Sequence, residues 1–475
     1  MSVLKGLEPE RVFYYFEELS KIPHGSGDTK RISDFCADFA KEKGLEFIQD
    51  EKNNIIIKKD KQNSQSNNTV IIQGHLDMVC EKEEDFSFDF KCDPLILKIE
   101  DGFIKAEGTT LGGDDAVAIA YALALLEDKN ISHPPIEAVF TVDEEIGLLG
   151  AQFIDLSSLK GKLLLNIDCE EEGIFTVSCA GGGKIDFSLP VEYMNTSGIK
   201  YNIKIHGLLG GHSGVEIDKL RANSNVISAR LLSKIIKFNK TNLVNIKGGL
   251  KDNAIPNLTY LEVICEKEID DIINAFYEDV KKEYRVSDNN IKIDFTKEKS
   301  DCLALTTEST KKASCFLLAF PNGVINMDLE IEGLVKTSLN MGILNMDKNS
   351  LNLTVSVRSS LKSEKEALID KLLSIASLSG ATAKVGGEYP PWEYKSESLL
   401  REVTSKVYLE LFNKEATFEA IHAGLECGVL SEKIENLDAI AFGPDIFDIH
   451  TPKERIDIKS VERVWKFIKR ILEEL

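Results

Sequence analysis

Short apolar runs alternate with amphipathic segments along most of this chain. Four runs rich in Val, Ile and Leu begin at residues 70, 136, 163 and 439. Runs of this length are typical of strands that are buried on both faces of a sheet. Residues 10–22 have the period of an amphipathic helix, and residues 116–126 are apolar on nearly every face, which predicts a buried helix. The pattern predicts an α/β fold with a mostly parallel sheet flanked by helices.

Two clusters of glycine and proline, at residues 180–183 and 386–391, have the composition of hinges. The sequence between them has strand and helix patterns of its own. These are strands at 201–206, 257–266 and 290–295, helices at 223–238, 269–282 and 363–379, and a hairpin of 338–343 with 351–358. Ser363 and Glu366 have the spacing of a capping box. We predict one domain formed by residues 1–183 and 388–475, with an α/β domain, residues 184–387, inserted as a lid.

Side chains that can bind a metal follow the predicted strands. His75 and Asp77 end the first run, and an extended segment presents residues two apart on the same face. Such a triplet alone is more often a surface accident. The other three runs are followed by Glu144, Glu145, Asp168 and His450. Because open parallel sheets bind ligands beyond the carboxyl ends of their strands, the pattern predicts one site for all these groups.

The start of the apolar helix adds a further carboxylate. Asp114 and Asp115 lie where a helix N-cap belongs. A cap explains one of them, but it leaves the second acidic residue and the neighbouring glycines unexplained. We therefore include Asp114 among the candidate ligands.

Two histidines and three carboxylates form the predicted ligand set, which is His75, Asp114, Glu145, Asp168 and His450. This set suits two zinc ions per subunit, with manganese or cobalt as alternatives. The three carboxylates and one hydroxide would balance the charge of two divalent ions. Paired ions activate water and polarise a carbonyl, so we expect hydrolysis. One of Glu144 and Glu145 can bind metal while the other acts as general base, and the pattern alone does not decide between them.

Five segments of the sequence together carry a family resemblance, namely 74–79, 108–114, 143–145, 166–173 and 421–428. They resemble the aminoacyl-histidine dipeptidases, a branch of the dinuclear-zinc exopeptidases that includes carnosinases and carboxypeptidases. The likeness extends in order from about residue 10 to the C-terminus. It implies a catalytic domain with an inserted lid, short peptide substrates, and a homodimer formed through the lid domain.

The resemblance also implies roles for the candidate ligands. Asp114 would bridge two metals, His75 and Asp168 would complete one site, and Glu145 and His450 would complete the other. In many relatives, Asn and Gly follow the bridging Asp, whereas Asp115 and Ala116 follow it in this chain. The additional carboxylate leaves the bridging role intact but could alter metal preference.

Further roles follow from the same resemblance. Glu144 would be the general base, Asp77 would orient His75, and His212, in a glycine-rich loop of the inserted domain, would stabilise the oxyanion. Asp143 lies where relatives often have Thr, outside the ligand set. Four positions are implied to contact substrate, and these are Asn253, Arg358, Gly424 and Glu426.

Composition limits the possible partners. The chain has 475 residues, a formal net charge of −21 and 43% hydrophobic residues. This charge argues against binding to nucleic acid or to anionic membranes. Nine cysteines without paired short spacing indicate reduced thiols, and no signal-like segment precedes the first predicted helix. We expect a cytoplasmic protein.

The favoured hypothesis is a metal-dependent hydrolase of dipeptides with a free amino terminus, including aminoacyl-histidine substrates such as carnosine. The nearest alternative is a deacylase that cleaves N-acyl amino acids on the same scaffold. The alternative from another class is a non-catalytic metal-binding protein. Glu144 argues against the last, because a protein that only stores metal needs no base beside the bound water.

Overall fold

The structure is a computed structural model, and it describes residues 2–329, 331 and 333–475. Contacts between residues divide the chain into two compact units. The first contains Met1–Cys179, Tyr394–Ala420 and Leu425–Leu475, and the second contains Ala180–Glu393 and Ile421–Gly424. No helix within the described residues has the length and apolar character needed to span a membrane.

The first unit begins with alternating helices and strands. Its elements before the second unit are α1 (Glu10–Ser20), α2 (Lys30–Lys43), β1 (Glu46–Gln49), β2 (Ile55–Lys59), β3 (Val70–His75), β4 (Leu97–Glu100), β5 (Phe103–Ala106), α3 (Gly113–Glu127), β6 (Ile136–Thr141), α4 (Leu149–Phe153), β7 (Leu163–Asn166) and β8 (Ile174–Cys179). The second unit contains β9 (Gly181–Pro190), β10 (Tyr193–His206), β11 (Gly211–His212), α5 (Ser224–Phe238), β12 (Thr241–Gly248), β13 (Ala254–Ile255), β14 (Thr259–Cys265), α6 (Asp270–Glu283), β15 (Lys292–Leu305), α7 (Thr307–Ala319), β16 (Gly323–Met327), β17 (Val335–Met346), β18 (Ser350–Ser359), α8 (Lys362–Ser379) and β19 (Thr382–Tyr389). The chain continues with α9 (Leu399–Phe412), β20 (Thr417–Ile421), α10 (Glu426–Lys433), β21 (Asp438–Ala441), β22 (Ile446–Phe447), β23 (Arg455–Asp457) and α11 (Ile458–Glu474).

The main sheet of the first unit has the strand order β1-β2-β6-β3-β7-β21-β8-β20. Its central pairs, β6 with β3, β3 with β7, and β7 with β21, are parallel. The pairs of β1 with β2, β2 with β6, and β21 with β8 are antiparallel. The four apolar runs of the sequence are therefore the parallel centre of the sheet, as predicted. A second sheet of this unit has the order β22-β23-β5-β4.

The predicted apolar helix is the centre of the hydrophobic core of the first unit. Every residue of α3 from Ala116 to Leu126 is buried, which explains why polar residues are absent from all of its faces. Tyr121 donates a hydrogen bond from its hydroxyl to the carbonyl of Val461, at 2.9 Å, and its ring stacks on Trp465. The apolar face of α11 packs into the same core.

The second unit is built on a nine-stranded sheet of order β15-β10-β14-β12-β17-β18-β9-β19, in which β16 also pairs with β17. The predicted hairpin is confirmed as the antiparallel pair of β17 and β18. The predicted domain boundaries at 183/184 and 387/388 are wrong by a few residues. They cut through β9 and β19, which are paired strands, and Tyr389 is the partner of Gly182 in this register.

The predicted capping box at Ser363 is also wrong. Helix α8 begins at Lys362, its N-cap position is Leu361, and no side chain caps it there. The N–H of Lys362 instead donates to Oε1 of Glu393, at 3.1 Å. A carboxylate from another part of the chain thus binds a backbone N–H at the start of this helix, and sequence spacing within the helix cannot reveal it.

Candidate metal centre

The ends of the central strands of the first unit bring the predicted ligands together. β3 ends at His75, β6 ends just before Glu144 and Glu145, and β7 ends just before Asp168. His450 lies in the loop between β22 and β23. We use the name candidate metal centre for the set of His75, Asp114, Glu145, Asp168 and His450.

Asp114 lies between the two histidines of the candidate metal centre. Its Oδ1 is 3.0 Å from Nε2 of His75, and its Oδ2 is 3.2 Å from Nε2 of His450. Nε2 of His75 is also 3.6 Å from Oδ1 of Asp168, and Nε2 of His450 is 2.9 Å from Oε1 of Glu145. Each oxygen of Asp114 therefore faces a different histidine, as a carboxylate that contacts two cations requires.

A backbone carbonyl orients the ring of His75. Nδ1 of His75 lies 3.0 Å from the carbonyl oxygen of Asp77. Because a carbonyl can only accept, Nδ1 carries a proton, and Nε2 is the ring nitrogen that faces the centre. The Asp77 carboxylate is 3.6 Å from Nδ1, so the backbone of Asp77, rather than its predicted carboxylate, makes the hydrogen bond that orients this ring.

The carboxylate of Asp77 positions the turn that carries the two glutamates. Oδ1 accepts the N–H of Glu144 at 3.0 Å, and Oδ2 accepts the N–H of Glu145 at 3.4 Å. The hydroxyl of Ser26 donates to Oδ2 as well, at 2.8 Å. Asp77 is buried, so this turn is held by charge-assisted hydrogen bonds that solvent screens weakly.

The structure distinguishes the two glutamates that the sequence pattern left equivalent. The carboxylate of Glu145 contacts His450. Among the described residues, no hydrogen-bond partner is found for the carboxylate of Glu144, and burial raises its pKa well above the usual value. This arrangement favours Glu145 as a ligand and Glu144 as the residue that exchanges protons.

Neither aspartate caps helix α3, which corrects the alternative interpretation of this motif. The N-cap position is Gly112, and both Asp114 and Asp115 have non-helical backbone angles. Oδ2 of Asp115 accepts the N–H of His75 at 3.1 Å. A Cβ atom at position 74 would lie 2.5 Å from this oxygen, so Gly74 is needed for the contact.

The N–H groups at the start of α3 bind a residue that the sequence pattern did not single out. Glu454 accepts hydrogen bonds from four consecutive N–H groups, those of residues 111–114. Its partner Leu111 is 343 residues away in the chain. In the sequence, Glu454 is only a carboxylate four residues after His450. This spacing does not indicate which groups Glu454 binds.

His212 of the second unit is held as a neutral hydrogen-bond donor. The N–H groups of Gly214 and Val215 both donate to Nδ1 of His212, at 3.2 Å each. The ring proton must then be on Nε2. Burial and the nearby Arg358 lower the pKa of His212, which keeps the ring neutral.

Two of the predicted substrate contacts, Asn253 and Arg358, belong to the second unit. Asn253 is exposed and directly precedes Ala254, which pairs with His212 between β11 and β13. Arg358 is 8% exposed, and its Nη1 donates to the Tyr389 hydroxyl at 2.7 Å.

Gly424 allows the Tyr389 ring to approach the backbone. A Cβ atom at position 424 would lie 2.6 Å from Cε2 of Tyr389. Gly424, which the family resemblance implies to contact substrate, therefore packs against Tyr389, the tyrosine that binds Arg358.

Comparison with known proteins identifies the relatives of the chain. Residues 71–474 match Peptidase family M20/M25/M40. The chain belongs to this family. It is 34% identical over its whole length to the cytosol non-specific dipeptidase of Escherichia coli, 99% of which is covered.

Solved structures show the same relationship for this M20 peptidase. The aminoacylhistidine dipeptidase of Vibrio alginolyticus is 32% identical and superposes with a TM-score of 0.93, covering 99% of this chain and 98% of that one. The aminopeptidase PepT of Bacillus cereus is 17% identical and superposes with a TM-score of 0.58, and the match covers 98% of this chain and 99% of that one. At this identity the match shows the fold alone. The predicted α/β fold and the family resemblance are both confirmed.

Buried carboxylates outnumber cationic side chains around the candidate metal centre of the M20 peptidase. Burial raises the pKa of Asp115 well above its usual value, that of Asp168 to about 6 and that of Glu170 to about 7. Within the described part of the chain, the ion pairs of Asp114, Glu145 and Asp168 are all with histidines of the centre. Two divalent cations would compensate this charge, so these residues fit a pair of metal ions.

The position of Glu426 does not suit the predicted substrate contact. The side chain is fully buried, and its Oε2 accepts hydrogen bonds from the Gln73 amide and from the Thr141 hydroxyl. Burial raises the pKa of Glu426 to about 8. Glu426 therefore links Gln73 of β3 to Thr141 of β6 from a position closed to solvent.

Proposed function

We propose that this M20 peptidase hydrolyses dipeptides with a free amino terminus, with aminoacyl-histidine dipeptides such as carnosine among its substrates. The observation that carries the proposal is the arrangement around Asp114, whose two oxygens face His75 and His450 separately. The full-length similarity to the dipeptidases of E. coli and Vibrio supports the choice of substrate class.

The candidate metal centre would hold two divalent ions. His75 and Asp168 would bind one ion, Glu145 and His450 would bind the other, and Asp114 would contact both. When bound, such a pair supplies a nucleophilic water and polarises the scissile carbonyl. Zinc suits this set of nitrogen and oxygen ligands, and manganese or cobalt could replace it.

Glu144 would move the proton during hydrolysis. Its carboxylate is held on the turn bound by Asp77, and burial raises its pKa, which makes it a stronger base than an exposed glutamate. It would accept a proton from the attacking water and deliver it to the nitrogen of the leaving amine. General base catalysis of this kind contributes roughly 10²–10⁴ in rate.

The second unit would supply groups that bind the substrate. His212 would donate its Nε2 proton to the oxygen that becomes negatively charged in the transition state. Arg358 would bind the substrate carboxylate through its guanidinium, in an orientation maintained by Tyr389. Asn253, which is exposed beside the pairing partner of His212, would contact the substrate backbone.

Replacing His212 by alanine is expected to lower kcat by about 10²–10³ with a small effect on KM, because a donor to the oxyanion acts mainly in the transition state. Steady-state kinetics on Leu-His would measure both constants. His206→Ala is the matched control, since His206, at the end of β10 in the same unit, pairs with Asp294 of β15. Equal kcat values for the His212 and His206 variants would rule out the oxyanion role.

A substrate panel tests the proposed function itself. Leu-His and carnosine should be hydrolysed by the metal-loaded protein, whereas N-acetyl amino acids should not be. Faster hydrolysis of the N-acetyl compounds would instead identify a deacylase. A protein that binds two metal ions and cleaves neither class would be a non-catalytic metal-binding protein.

A further inference from the structure

One buried carboxylate binds the backbone that leads into Asp114. Oε2 of Glu454 accepts the N–H groups of Leu111 at 2.7 Å and Gly112 at 3.1 Å. Oε1 accepts those of Gly113 at 2.7 Å and Asp114 at 3.4 Å. Glu454 is 3% exposed. The first N–H groups of a helix have no partner within the helix, so Glu454 takes the place of a local cap.

Two glycines lie in the backbone segment that this carboxylate binds. A Cβ atom at position 113 would lie 3.2 Å from Oε1 of Glu454 and 2.5 Å from Cδ1 of Ile456. Gly112 has a φ of +66°, a left-handed conformation that favours glycine. Gly113 is therefore explained by the close approach of Glu454 and Ile456, and Gly112 by its left-handed backbone.

The segment that carries Glu454 also carries a ligand of the candidate metal centre. Glu454 follows His450 by four residues, and its N–H donates to the carbonyl of Thr451 at 3.1 Å. The next residue, Arg455, begins β23, which pairs with β5 in an antiparallel ladder. The same short segment, which continues into a strand of a sheet, thus supplies His450 and binds the backbone of Asp114.

We propose that Glu454 is a positioning residue of the metal centre. It binds the backbone of residues 111–114 so that the two oxygens of Asp114 face His75 and His450 separately. Hydrogen bonds from N–H groups to a carboxylate are charge-assisted and roughly twice as strong as neutral ones, which suits them to fixing a ligand. This inference rests on the proposed function, since it requires that Asp114 contacts metal.

Glu454→Gln tests the proposal. The single oxygen of glutamine can accept hydrogen bonds from only one pair of the four N–H groups. The NH₂ group of glutamine would face the other pair, and donors that face each other cannot form hydrogen bonds. The affinity of the apo-protein for Co²⁺, measured by calorimetric titration, is expected to fall 10–100-fold, as is typical when a group that orients a ligand is lost. The visible absorption spectrum of bound Co²⁺ should also change, because it reports ligand geometry.

Glu17→Gln is the matched control for the loss of a buried carboxylate. Glu17 is buried in the same unit and accepts the N–H groups of Val3 and Leu4, away from the ligands. This variant should lower Tm yet bind two Co²⁺ ions with the wild-type affinity and spectrum. A purely structural role for Glu454 would make the two variants alike.

Two further outcomes are informative. If Glu454→Gln does not fold, Glu454→Asp, which keeps the charge but has a shorter reach, should bind Co²⁺ with intermediate affinity. Wild-type affinity and an unchanged spectrum in whichever of these two variants folds would overturn the positioning role while leaving the proposed function intact. A wild-type protein that binds no Co²⁺ would overturn the proposed function, and this inference with it.

Discussion

Substituting Glu144 by glutamine is expected to reduce kcat by roughly 10²–10⁴ while two metal ions remain bound. The amide has the size of the carboxylate but cannot accept a proton at neutral pH. The N–H of residue 144 would still donate to Asp77, so the turn and the ligand Glu145 should keep their positions. Metal analysis and the kinetics of Leu-His hydrolysis on the same preparation would measure both effects.

Asp143→Asn is the control for the Glu144 variant. It neutralises the neighbouring carboxylate on the same turn, which accepts the N–H of Gly27 at 2.7 Å. An asparagine oxygen can still accept this bond, and asparagine tolerates the left-handed backbone that Asp143 adopts. Turnover should stay within a few-fold of the wild type in this variant. Similar turnover in Glu144→Gln would exclude Glu144 as the base.

The Asp114→Asn variant is expected to lose at least one of the two metal ions and to lower kcat/KM by about 10³-fold or more. Asparagine has one oxygen where Asp114 presents two, so it cannot serve both halves of the centre. The charge stabilisation supplied by metal is several kcal/mol, and each 1.36 kcal/mol is tenfold in rate. Metal analysis after dialysis, followed by Leu-His kinetics, would measure the loss.

Asp115→Asn is the matched control at the adjacent position. Asparagine has the size of aspartate, and Asp115 lies outside the predicted ligand set of the candidate metal centre. The amide oxygen can still accept the N–H of His75. This variant should keep two metal ions. Equal metal loss in both variants would show that the effect at Asp114 comes from disturbing the loop rather than from removing a ligand.

Local patterns predicted most of the framework that carries the site. The apolar runs at 70, 136, 163 and 439 form the adjacent parallel strands β3, β6, β7 and β21, and parallel strands present their carboxyl ends at one edge. The strand pattern alone therefore groups His75, Glu145 and Asp168. Asp114 is harder to assign, because an acidic pair before an apolar helix is also the pattern of an ordinary N-cap.

Contacts between remote parts of the chain explain what the sequence did not predict. Glu454 binds N–H groups more than 300 residues away, and Glu393 binds the start of α8 in a similar way. Glu426 fits a family motif, but only the fold shows that it is fully buried under β3 and β6. In each case the partner is a backbone N–H or a polar side chain whose position depends on the tertiary structure.

We propose that the five side chains of the candidate metal centre bind two neighbouring cations. An anomalous difference map from zinc-soaked crystals, collected at the zinc absorption edge, tests it most directly. We expect two peaks about 3.5–4 Å apart, one beside His75 and Asp168 and the other beside Glu145 and His450, with Asp114 between them. A single peak, or peaks away from these side chains, would contradict it.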